Sequence, residues 1–157
     1  MTQPATAEKF VGTWRLVTMR ADRGDGAPGE PYGPQPLGYI TYTADGHMHA
    51  ILMHPDRRRV DVPIEEFGQH HGLRRVAFLV AKLPALARLT EAAAKAMAYS
   101  ATWEIRGPEV VHHVTASVLP DAIGTDLVRT YAFDAGRMTL TAHYPDDGSV
   151  ELVWQKA

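Results

Sequence analysis

The residues best placed to do chemistry in this 157-residue chain are its eight histidines and one arginine set among apolar neighbours; there is no cysteine. The pair His112-His113 is the most informative. In a strand, adjacent side chains face opposite sides, so one imidazole points into the fold and the other away from it. An inward His, with an ordinary pKa of about 6.5, can serve as general acid or base near neutral pH. Val110, Val114 and Val118 share a face with His112, while Val111, Thr115 and Ser117 share one with His113. Periodicity therefore leaves the choice open, and a hydrogen-bonded structural His satisfies it equally. Arg129 lies on one strand face with Leu127 and Tyr131. A guanidinium there is costly unless it is paired. It suits a ligand carboxylate, enolate or carbonyl oxygen, or else a structural stack on a Trp.

His47 and His49 share a strand face, as a two-His metal site requires. No third ligand stands at a recognisable spacing and no His-Glu-x-x-His run exists, so no metal and no cofactor is assigned. The catalytic candidates are thus His112, His113 and Arg129. Candidate substrate-binding residues are Tyr39, His49, Tyr99, Trp103, Tyr131 and Trp154, whose aromatic members offer apolar area with a polar tip. Each aromatic also reads as ordinary core.

The elements that must position these residues are mostly strands. Phe10–Arg20, Leu37–Thr43 and His47–Met53 read as the first three, the last two joined by Asp45-Gly46, a tight-hairpin signal. Between the first two lies a loop rich in Gly and Pro, from Gly24 to Pro36. From Pro55 to Ala98 the alternation breaks. Pro63–Phe67 reads as a short helical turn. Residues 73–98 read as a helical insertion, with Pro84 at a first turn and an Ala-, Leu-, Glu- and Lys-rich run behind it. Alternation then resumes in Tyr99–Arg106, Val110–Val118, Thr125–Phe133, Arg137–Tyr144 and Ser149–Lys156. About eight consecutive strands with short turns predict an all-β, up-and-down antiparallel barrel, whose closure removes its edges and leaves room for one small ligand. Residues 10–157 read as one domain behind a tail of residues 1–9. The insertion reads as a lid over the barrel mouth, a homodimer contact or a membrane-touching helix.

Bulk properties narrow the function. With 16 basic and 18 acidic residues the chain lacks the basic excess that tracks a polyanion, so nucleic acid is not expected as a partner. The absence of cysteine removes disulfides and thiolate chemistry and suits a reducing cytoplasm. No signal pattern and no bilayer-length apolar run is present. Neither P-loop nor Gly-x-Ser-x-Gly occurs, and the one Gly-x-Gly-x-x-Gly spacing, Gly24 to Gly29, lies in the Gly- and Pro-rich loop with no helical run behind it, which disfavours nucleotide-dependent and serine-hydrolase chemistry.

Phe10-Val11-Gly12-Thr13-Trp14 resembles the Gly-x-Trp opening strand of lipocalins. The blocks Tyr32–Tyr42, Asp45–Met48, Met53–Arg57, Val111–Val114, Gly124–Tyr131 and Leu152–Trp154 resemble, in that order, the bacterial and fungal lipocalin-like domain family. The resemblance implies an eight-stranded barrel with an internal cavity, and functions ranging from ligand binding to cofactor-free cyclases and isomerases of natural-product pathways. Two features depart from it. The insertion is longer than the family leads one to expect, and the late basic residue is Lys156 where secreted lipocalins carry an Arg. The expected function is therefore to bind a small, largely apolar, oxygenated molecule, as a cofactor-free cyclase or isomerase. A non-catalytic carrier or sensor is the alternative, and a His-ligated haem or metal binder a third reading.

Overall fold

The order of elements is a short helix α1 (Ala7–Phe10), then β1 (Gly12–Asp22), β2 (Leu37–Tyr42), β3 (His47–Met53), α2 (Gly72–Ala81), α3 (Leu83–Ala94), β4 (Ala96–Arg106), β5 (Glu109–Ser117), β6 (Asp126–Asp134), β7 (Arg137–His143) and β8 (Ser149–Lys156). This computed structural model describes residues 7–22, 28–61, 71–145 and 148–157. The expected turn at Pro63–Phe67 and the start of the Gly- and Pro-rich loop lie outside the described residues. Two units are formed, Met1–Pro55 with Met97–Ala157, and Asp56–Ala96.

The first unit is the barrel. All eight strands follow one another in a closed sheet, and β8 returns to pair antiparallel with β1 from Trp14↔Lys156 to Asp22↔Ser149. Closure leaves no free edge. The wall alternates as a half-buried sheet must. Along β2, Gly38, Ile40 and Tyr42 face inward; along β3, Met48, Ala50 and Leu52; along β7, Met138, Leu140 and Ala142. A bulge between Leu16 and Thr18 inserts one residue in β1. It switches the inward set from Trp14 and Leu16 to Met19 and Ala21, bending the strand as bulges do. At Gly38 the walls come close: a Cβ there would sit 2.8 Å from the Ile51 carbonyl oxygen and 3.2 Å from the Leu16 side chain.

One end of the barrel is packed solid with aromatic rings. Phe10, the last residue of α1, is fully buried, with ring centroids 5.0 Å from Tyr131, 5.0 Å from Phe133, 5.3 Å from Tyr42 and 5.6 Å from Trp103. Trp14 donates its indole N–H to the Phe10 carbonyl at 2.8 Å and so ties off the end of α1. Lys156 lies 4.2 Å over the Trp14 ring and donates to the Val11 carbonyl at 2.6 Å. This lysine thus closes the base beneath the Gly-x-Trp segment.

Most expected strand ends shift by a residue or so, and two shifts have a physical cause. Phe10 belongs to a helix rather than to the first strand, because Gly12 (φ +122°) breaks the extended course and the ring is drawn into the core. Ala96–Ala98 belong to β4 rather than to the insertion: the Ala98 carbonyl accepts the Val118 N–H at 3.0 Å, so sheet pairing overrides the helix preference of an Ala-rich run.

In the second unit, α2 and α3 meet at Lys82, and Pro84 occupies the first turn of α3. Arg88 pairs with Asp61 at 3.1 Å and Lys95 with Glu91 one turn away at 2.8 Å. Leu73, Val76, Val80, Leu83 and Leu89 are exposed. Among the described residues no helix is long and apolar enough to cross a membrane.

Candidate functional site

Above the aromatic end, inside the barrel, lies a cavity of about 400 Å³. That size suits one small organic molecule. Its apolar wall includes Met19, Ile40, Leu52, Met97, Leu140 and Leu152, contributed by six strands. On one side it is bounded by residues 126–129 of β6 and 142–144 of the β7 end. The β6–β7 ladder begins only beyond these stretches, at Thr130↔Thr141.

The polar part of the wall centres on His112. The alternation of β5 turns its imidazole inward beside Val110 and Val114, and it is 1% exposed. Both ring nitrogens are engaged. Nε2 is 2.8 Å from the Tyr42 hydroxyl and Nδ1 is 3.0 Å from the Tyr99 hydroxyl. Burial, reinforced by the nearby Arg129 and His113 charges, pushes the imidazole down to about 3, so it is neutral at physiological pH. Burial pushes the Tyr99 phenol up to about 12 and raises Tyr42 well above its ordinary value; both hydroxyls keep their protons. Tyr99 lines the cavity, whereas Tyr42 packs behind it against Phe10 and Trp103.

Arg129 faces inward with Leu127 and Tyr131, as its strand parity requires, and lines the cavity. One guanidinium nitrogen donates to the Val128 carbonyl at 2.8 Å. No carboxylate among the described residues forms an ion pair with it. Trp154 forms part of the same wall, is buried, and its indole N–H meets no acceptor among the described residues.

The other candidates separate cleanly. His113 points outward, 2.6 Å from Asp126 and 3.2 Å from Glu104. These carboxylates, Asp126 first, raise its pKa, in the opposite sense to its neighbour. Tyr39 and His49 are exposed on the outer face, where they line a shallow groove of about 430 Å³ with Ile51 and Val118; His49 Nδ1 is 2.9 Å from the Ser100 hydroxyl. Trp103 and Tyr131 are part of the aromatic end, their polar tips donating to the Thr43 carbonyl at 3.2 Å and the Gly107 carbonyl at 3.1 Å. The structure therefore brings together His112, Tyr99, Arg129 and Trp154, and it places Tyr39, His49, His113, Trp103 and Tyr131 away from the cavity. His47 lies 3.5 Å from Asp45, and among the described residues no three metal-ligating side chains gather. Tyr42 was not singled out in the sequence; its parity with Ile40 is the signal that marks it as the inward tyrosine of β2, in place of Tyr39.

Among solved structures, the chain is similar to a lipocalin-like protein from Bacteroides uniformis ATCC 8492, with 10% identity, TM-score 0.46, and 95% of this chain and 99% of that chain covered. It is also similar to a redesigned β-barrel (7% identity, TM-score 0.43, 100% and 99% covered) and to wild-type fluorescent protein UnaG (12% identity, TM-score 0.37, 97% and 100% covered). No curated protein matches its sequence. The lipocalin-like domain profile matches residues 11–157, from the strand that opens the barrel to the one that closes it, and the chain belongs to that family.

Proposed function

We propose that the barrel binds one small, largely apolar, oxygen-bearing molecule in its internal cavity. The observation that carries this reading is an apolar volume of about 400 Å³ inside the barrel whose wall includes a few polar side chains, Tyr99, His112 and Arg129. Apolar walls supply affinity and a few placed polar atoms supply orientation. The test is titration with 1-anilinonaphthalene-8-sulfonate, which fluoresces in apolar surroundings. Wild-type protein binds it saturably at one site. Ala142→Phe, which fills the cavity from β7, abolishes the signal while retaining its thermal transition. Equal binding by both proteins would refute the reading.

A second reading, cofactor-free cyclisation or isomerisation, is favoured by one feature: Tyr99, held by His112, shares the cavity wall with Arg129. Two such donors polarise a carbonyl, and the closed barrel folds a flexible substrate and excludes water. In this reading His112 is a positioning residue, since one nitrogen gives its hydrogen to a tyrosine and the lone pair of the other accepts from a tyrosine, leaving none for a proton or an iron. Turnover of a polyketide-like substrate lost in Tyr99→Phe, with binding preserved, supports catalysis; unchanged turnover removes Tyr99 from it.

A further inference from the structure

The Tyr42–His112–Tyr99 chain has a direction, and the direction identifies the ligand's polar end. A neutral imidazole has one N–H and one bare nitrogen. Of its two tyrosine partners, one therefore donates to the ring and the other accepts from it. The accepting hydroxyl keeps a hydrogen to give elsewhere. On Tyr42, which is fully buried behind the cavity wall with His112 as its hydrogen-bond partner, that hydrogen would meet no acceptor, a costly arrangement. Tyr99, by contrast, lines the cavity, where a guest can supply the acceptor. Tyr42 therefore donates to Nε2, Nδ1–H donates to the Tyr99 oxygen, and the Tyr99 O–H is left to donate to a guest.

The rest of the polar wall has the same sign. Arg129 spends one donor on the Val128 carbonyl and has no carboxylate partner among the described residues. Asp126, the carboxylate at the rim, is already held by His113 at 2.6 Å. We infer that the cavity selects an apolar molecule whose polar end is an anionic hydrogen-bond acceptor (a carboxylate, phenolate or enolate oxygen) received by Tyr99 and Arg129. This rests on the ligand-binding reading above and names the class of ligand within it.

Two measurements test it. In calorimetric titration, 2-naphthoate binds about tenfold or more tightly than 2-naphthamide, its near-isostere, because charge-assisted bonds to an anion are the stronger ones. Tyr99→Phe and Arg129→Met each narrow that preference. Without any ligand, the imidazole ¹⁵N shifts of His112 show Nδ1 protonated and Nε2 bare. Equal affinity for the two probes would overturn the inference while leaving the cavity reading intact. Binding of neither would overturn the cavity reading and the inference with it. A His112 protonated at Nε2 would overturn the inference alone, since the Tyr99 hydrogen would then be committed to the ring.

Discussion

The two ends of this barrel are built from the same strands, yet one is filled with aromatic rings and the other, walled mostly by aliphatic side chains, is hollow. The three tryptophans mark the difference. Trp14 and Trp103, at the filled end, have their indole N–H groups bonded to the Phe10 and Thr43 carbonyls, at 2.8 and 3.2 Å. Trp154, at the hollow end, has no acceptor among the described residues. Most buried polar groups in folded proteins find a partner, so the unsatisfied indole marks the hollow end as the one packed less closely for stability. His112 links the two ends: through Tyr42 it touches the aromatic packing, and through Tyr99 it touches the empty space. On the proposed reading, stability sits at one end and recognition at the other.

That division is broken most forcefully at Phe10. Phe10→Ala removes the ring on which Tyr42, Trp103, Tyr131 and Phe133 converge and is expected to cost about 3–5 kcal/mol in urea denaturation. A loss below about 1 kcal/mol would mean the filled end is not where stability resides.

Next in size is the pH dependence of stability. His112 titrates at about 3 when folded and at about 6.5 when unfolded. Between these values the unfolded chain holds a proton that the folded one lacks, so stability declines as pH falls across that window, by up to ~1.4 kcal/mol per pH unit. Urea midpoints measured from pH 7 down to pH 4 check the sign. Stability that rises on acidification would contradict a buried neutral imidazole.

At the hollow end, Arg129→Met weakens 2-naphthoate binding by about tenfold, a loss in recognition. It leaves the unfolding free energy from urea denaturation within about 0.5 kcal/mol of wild type, because no carboxylate among the described residues is paired with the guanidinium. A large loss of stability with unchanged binding would assign Arg129 to the scaffold instead.

The smallest effect is expected one residue from His112. His113→Ala removes an exposed ion pair with Asp126 and Glu104, a contact of the kind worth about 0–1 kcal/mol. Because those carboxylates raise the folded pKa, the contribution is present below the unfolded value of about 6.5 and fades as pH rises through the folded one, opposite in sign to His112. Probe binding is unaffected.

Much of this architecture is readable in the chain before any coordinates. His47–Met53 and Ser149–Lys156 have the bounds their alternation indicates, and the Asp45-Gly46 turn closes as a hairpin with Thr43 N–H on the His47 carbonyl at 2.9 Å. What local pattern does not carry is the choice between faces. Valines flank His112 and His113 on both sides of β5, so only closure of the barrel decides which imidazole is buried. Register does the same for Tyr39 and Tyr42: Tyr42 faces in with Ile40, and Tyr39 faces out with Leu37. Phe10 reads as a strand residue because its partners, Phe133 and Tyr131, lie more than a hundred residues away. The Tyr–His–Tyr chain joins three strands and has no local signature at all.

The central claim is that the empty volume beside the Trp154 ring is the ligand site. ¹H–¹⁵N correlation spectra test it directly, because each tryptophan gives its own indole N–H signal. On titration with 2-naphthoate, the Trp154 indole signal moves and saturates while those of Trp14 and Trp103 stay in place. Perturbation confined to the backbone amides of Tyr39, His49 and Val118 in the outer groove, with the Trp154 signal unmoved, would contradict it.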